Sequence, residues 1–233
     1  MIHQEPVLLL HGQPGNARDW DLVRSHLDPE IPVIAVDRPG YDGVSAPGGI
    51  AHSARAAVAR LDDDGVEKAL VVGLSFGGGV AALIAAHHPD RVSALLLVSP
   101  AANAASLQRI DRLMAAPLIG AIFSAVVVAG AELKLGSSPV LGRAARRAFL
   151  VEQRAILREL PLLDGALPRI EAPTTVLLGS ADRVVPPAAG RRVAAQIPGA
   201  ELVEIGGAGH ALHVTHPRRI AELIRKARTV TVR

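Results

Sequence analysis

Apolar residues in this chain gather into short runs, each ended by glycine, proline or another turn-forming residue. Six runs, at 6–10, 32–36, 69–72, 94–98, 174–178 and 200–205, have the length and the leucine or β-branched content of strands. Between most of them lie stretches of helical length, at 17–27, 51–64, 77–87 and 188–196. Uninterrupted apolar strands that alternate with helices predict a parallel sheet covered on both faces. The alternation breaks after Pro100, where residues 101–168 read as helices without a strand before the pattern resumes at Thr174. The expectation is an α/β protein with a doubly wound, mostly parallel sheet of about six strands. Its core would comprise 1–100 and 169–233, and 101–168 would be a helical cap inserted into it.

Composition narrows the chemistry. With 49% hydrophobic and 20% charged residues, the 233-residue chain has enough apolar mass for a large core. Cysteine is absent, which excludes disulfides, thiolate metal sites and a cysteine nucleophile. Trp20, Tyr41, Phe76, Phe123 and Phe149 are the whole aromatic complement, too few for base-stacking platforms or a carbohydrate-binding strip. The net charge is only +3, and Lys68, Lys134 and Lys226 are the sole lysines, so arginine carries the basic charge. That bias fits a bacterial, GC-rich source better than a nucleic-acid partner. Arg143, Arg147, Arg154 and Arg158 recur at helical spacing, as on the solvated face of an amphipathic helix.

Neither export nor membrane insertion is expected. The sequence opens without a cationic segment, and its first apolar run is cut short by His11-Gly12, so no secretory signal is read and a cytoplasmic location follows. Residues 113–131 carry no charge, but Pro117, Gly120, Ser124 and Gly130 interrupt them. They read as buried or pocket-lining helices, with Leu118 and Phe123 as candidate pocket residues.

In open parallel sheets, sites form where strands end at their carboxyl edge. The third strand runs into Gly73-Leu74-Ser75-Phe76-Gly77, a fit to the G-x-S-x-G elbow between strand and helix. Such a turn sets the serine Oγ at a helix N-terminus, whose dipole favours developing negative charge. A serine hydroxyl needs a base to take its proton, and the base needs an orienting carboxylate. Asp182 and His210 follow the fifth and sixth strands, in the chain order this elbow requires.

The strand-end motifs taken together are His-Gly-x-Pro-Gly, Asp-x-Pro-Gly-Tyr, Gly-x-Ser-x-Gly-Gly, Gly-x-x-Asp-x-x-x-Pro and Gly-x-Gly-His. In this order they resemble the α/β-hydrolase fold, everywhere but at the fourth strand and in the insertion. The resemblance implies Ser75 as nucleophile, His210 as general base and then acid, and Asp182 as its orienting carboxylate. It implies an oxyanion hole from the backbone N–H groups of Gln13 and Phe76. Asp37 would sit in a structural turn, His213 and His216 are weaker candidates for the base, and His87 and His88 would close a helix at the surface. The remaining histidines show no metal-ligand pattern, so no metal and no cofactor are expected.

Two departures from the family stand out. The first strand starts within ten residues of Met1, so the β-hairpin that members usually carry ahead of it is not expected, which would leave 32–36 as a bare, apolar edge. A homodimer is expected from that edge more readily than a monomer. The loop Tyr41-Asp42-Gly43 also has Asp where glycine is frequent. The implied activity is metal-free cleavage of a small or medium apolar carboxylic ester. A cofactor-free perhydrolase (haloperoxidase-like) would use the same triad, and no residue separates it from an esterase. A carbon–carbon bond hydrolase is also compatible with the triad, and a triad-containing ligand receptor or interaction protein with negligible turnover is the alternative from a different class.

Overall fold

The computed structural model describes residues 5–116, 120, 122, 125–126 and 143–231. Six strands form one parallel sheet: β1 (Val7–Leu10), β2 (Val33–Val36), β3 (Ala69–Leu74), β4 (Val92–Val98), β5 (Thr174–Gly179) and β6 (Glu201–Ile205). Their order across the sheet is β2-β1-β3-β4-β5-β6. The architecture anticipated from the alternating runs is present, and β2 lies at the edge.

Successive side chains of a strand point to opposite faces, and here both faces are buried. Leu8 and Leu10 of β1, Val71 of β3 and Leu95 and Leu97 of β4 pack on one side. There they meet α2 (Ile50–Asp63), through Ile50, Ala54 and Leu61, and α3 (Phe76–His87), through Val80 and Ile84. Val7, Leu9, Leu70, Val72 and Leu96 face the other way, against Trp20, Val23 of α1 (Asp21–Arg24) and Ile220 and Ile224 of the last helix. Burial on both faces is why the strands read as continuous apolar runs rather than alternating ones.

The insertion between β4 and β5 contributes, among the described residues, α4 (Arg109–Ala115) and the long α5 (Arg143–Asp164). Helix α5 is fastened to the sheet domain at its far end. There Asp164 accepts the Gln196 side-chain N–H (3.1 Å), and Glu159 accepts the N–H of Ile50 at the start of α2. Arg147, Arg154 and Arg158 are exposed, as their spacing requires. Leu118 and Phe123, the candidate pocket residues, lie outside the described residues. After β5 come α6 (Pro187–Gln196), the single turn α7 (Leu212–Thr215) and α8 (Pro217–Thr231). Among the described residues no helix is long and apolar enough to cross a membrane.

Candidate active site

Strand register brings the functional loops to one edge. Leu10 pairs with Gly73, Gly73 with Leu97, Val98 with Leu177, and Gly179 with Ile205. The loops beyond them therefore meet along the carboxyl ends of five neighbouring strands. Backbone bonds extend the ladder past the strands: Ser75 N–H to Val98 O (2.9 Å), Ser99 N–H to Leu177 O (2.8 Å) and Ser180 N–H to Ile205 O (3.0 Å).

Ser75 sits at the head of α3 with φ 52° and ψ −117°, a left-handed conformation that non-glycine residues rarely hold. The surrounding glycines make it possible. A Cβ at Gly73 would overlap the Gly77 carbonyl, and one at Gly77 would overlap the carbonyls of Leu10 and His11. The strand and helix thus approach to backbone contact, and Ser75 projects from the turn between them. The Ser75 carbonyl accepts the N–H groups of Gly78 (2.9 Å) and Ala101 (3.0 Å), which holds the turn from both sides. Ala101 is brought there by Ser99, a second left-handed residue, φ 43°. No motif marked that position in the sequence.

Asp182 and His210 come together as expected. His210 Nδ1 lies 2.7 Å from Asp182 Oδ2. The other carboxylate oxygen, Oδ1, accepts the N–H groups of Val184 (2.8 Å) and Val185 (3.0 Å), so the side chain is aimed by its own turn. Donation from Nδ1–H to the carboxylate leaves Nε2 with its lone pair, the form a general base needs. Among the described residues no hydrogen bond joins Ser75 to His210; such contacts commonly tighten only when substrate is bound.

The two weaker histidines are placed differently. His213 is buried, its Nδ1 has no partner among the described residues, and burial and the neighbouring His210 push its pKa down to about 4. His216 shares a contact with the Thr215 hydroxyl (2.8 Å). Among the described residues neither hydrogen-bonds to Asp182. Asp37 accepts the N–H of Ala17 (2.6 Å) and so fastens a turn, and His87 and His88 are exposed at the end of α3.

Facing Ser75 is the His11-Gly12-Gln13-Pro14 loop, in which a Cβ added to Gly12 would meet the Ser75 Cβ at 3.4 Å. Neither the Gln13 N–H nor the Phe76 N–H finds an acceptor among the described residues. The second is the first donor of α3, where the helix has no internal partner to offer. Behind this loop lies a buried polar network that no motif announced. Arg38 and Glu152, 1% and 0% exposed, form an ion pair. The Tyr41 hydroxyl donates to the second Glu152 oxygen (2.8 Å). Burial pushes the Glu152 carboxyl up, opposed by Arg38 and by the Tyr41 hydroxyl. Burial and the Arg38 charge hold His11 well below the usual histidine range. Among the described residues no three His, Asp or Glu side chains are grouped to hold a metal ion.

Comparison with known proteins shows the family and the fold. The profile described as "Alpha/beta hydrolase family" matches residues 7–223. The pimeloyl-[acyl-carrier protein] methyl ester esterase of Neisseria meningitidis is 29% identical over 244 residues, covering 94% of this chain and 91% of that protein. A hydrolase from Pseudomonas aeruginosa has a solved structure that superposes with a TM-score of 0.77 at 25% identity, over 97% of this chain and 90% of that one. The enol-lactonase of Burkholderia xenovorans shares the fold, with a TM-score of 0.80 at 22% identity over 97% and 92% of the two chains.

Proposed function

The chain belongs to the alpha/beta hydrolase family and is a hydrolase, and from that premise we propose that it cleaves a carboxylic ester through an acyl-enzyme on Ser75. One observation carries the reading. A left-handed serine at a helix N-terminus stands on the same sheet edge as a histidine whose Nδ1 is held 2.7 Å from a carboxylate.

Each step then has a named group. Ser75 Oγ attacks the ester carbonyl carbon while its proton passes to His210 Nε2. The imidazolium that forms is stabilised by Asp182, which keeps its own charge. The carbonyl oxygen, now an oxyanion, takes hydrogen bonds from the N–H groups of Gln13 and Phe76. Each such donor is typically worth about 3 kcal/mol in the transition state. His210 returns the proton to the departing alcohol oxygen, leaving the acyl group on Ser75. Water then attacks that ester, gives its proton to His210, and the free acid leaves as Ser75 recovers it.

Residues 101–168 form the cap in this reading, and their apolar composition supports a small or medium apolar ester. The named substrate of the meningococcal relative makes a methyl ester of a medium-length acyl chain the first compound to try. A chromogenic ester panel of increasing acyl length, run on the parent and on Ser75→Ala, tests the reading. Turnover by the parent alone supports it, and equal turnover by both overturns it. The open edge of β2 supports a homodimer, for which light scattering would give a mass near twice 24.2 kDa.

A further inference from the structure

The loop that faces Ser75 is held from behind by one guanidinium. Arg38 Nη2 donates to the Gly12 carbonyl (2.7 Å), and Arg38 Nε donates to the His11 carbonyl (3.1 Å). The Gly12 carbonyl takes a second donor, His11 Nδ1–H, at 2.8 Å. That tautomer is required by the other ring nitrogen, because His11 Nε2 accepts the Arg38 backbone N–H at 2.9 Å. The low pKa of His11 keeps the ring neutral and this pattern intact.

Two donors on one carbonyl fix the plane of its peptide. Gly12–Gln13 is a trans peptide; among the described residues the cis bond is the next one, Gln13–Pro14. In a trans peptide the N–H points opposite to the C=O. Anchoring the Gly12 oxygen on Arg38 and His11 therefore turns the Gln13 N–H away from them, out of the loop's anchored side. The same guanidinium lies 4.4 Å from the centre of the Phe76 ring, so it meets both the peptide that carries the Gln13 N–H, through the Gly12 carbonyl, and the side chain of the residue that carries the other proposed donor.

Arg38 is in turn held from the insertion. Its Nη1 pairs with Glu152 of α5, the Tyr41 hydroxyl braces the second Glu152 oxygen, and Gln13 Nε2 donates to the Phe149 carbonyl of α5 (3.2 Å). We infer that Arg38 and Glu152 are positioning residues for the oxyanion donors, so that α5 must be seated for the Gln13 N–H to be aimed. The inference rests on the proposed acyl-transfer reading. Neither residue touches substrate; both act through the Gly12–Gln13 peptide.

The test is Glu152→Gln, which removes the charge and keeps the shape, with Tyr41→Phe as a milder second variant. Rates are taken per active site, titrated with a serine-directed phosphonate, so that unfolded protein does not count. A trifluoromethyl ketone, whose hemiketal oxygen sits where the oxyanion would, reports the hole itself. In Glu152→Gln, kcat should fall about tenfold or more with KM within threefold. Affinity for the ketone should fall by the same factor, and the shape of the pH profile should not move. Tyr41→Phe should show the same pattern at two- to fivefold, and it decides the matter if Glu152→Gln does not fold. Unchanged kcat per titrated site with unchanged ketone affinity would overturn the inference, as would a change in KM alone. A parent protein that neither turns over esters nor takes up the phosphonate would instead overturn the acyl-transfer reading, and this inference with it.

Discussion

Asp182 holds His210 by one oxygen and is itself held by the other: Oδ2 lies 2.7 Å from Nδ1, and Oδ1 accepts the N–H groups of Val184 and Val185. The carboxylate is aimed by the loop that carries it, so the imidazole inherits a fixed tautomer. Asp182→Asn would keep the turn but offer His210 an amide, favouring the wrong tautomer. Ester turnover should fall roughly 10⁴-fold with the melting temperature nearly unchanged. Retention of more than a tenth of the parent kcat would separate Asp182 from the chemistry.

His213 provides the contrast. It lies three residues from His210 but is buried, and His213→Gln should leave kcat within a few-fold of the parent. Its effect should appear in stability. A folded-state pKa depressed from 6.5 to about 4 means that the unfolded chain binds the proton more tightly. The contribution is therefore complete above pH 6.5 and lost as pH falls toward 4, at most about 3 kcal/mol. Urea unfolding of the parent and of His213→Gln between pH 7.5 and 4 should show a shallower acid loss in the variant. Parallel pH curves would contradict the assignment.

Gly77 sets the distance between α3 and β1. Since a Cβ there would overlap the carbonyls of Leu10 and His11, Gly77→Ala must push the helix off the strand end. The expected loss is about 1–3 kcal/mol by urea denaturation. Turnover should drop further than stability explains, because the displaced backbone leads directly into Gly12 and Gln13. A variant with parent stability and turnover would show that the contact relaxes without consequence.

Much of the site was legible because its signals are local. Gly-x-Ser-x-Gly is a steric statement about one turn, and Asp182 and His210 each directly follow an apolar run that pairs in the sheet. Arg38 and Glu152 were not read, since 114 residues separate them and Arg38 occupies the variable position of Asp-x-Pro-Gly-Tyr. A usable signal did exist. Ala145, Phe149, Glu152, Ile156, Leu160 and Leu163 recur at steps of three and four along α5, and all are buried. A lone carboxylate in such a stripe demands a buried partner. The left-handed turn at Ser99 had no comparable signal, because serine carries no mark of positive φ.

Acylation of Ser75 is tested most directly by mass spectrometry after treatment with a serine-directed phosphonate. The expected result is a single adduct on the peptide that contains Ser75, with ester turnover abolished in proportion to labelling. Ser75→Ala should take up no label and lose several orders of magnitude in kcat while remaining folded. An adduct on a different serine, or ester turnover by Ser75→Ala at the parent rate, would contradict the assignment of the nucleophile.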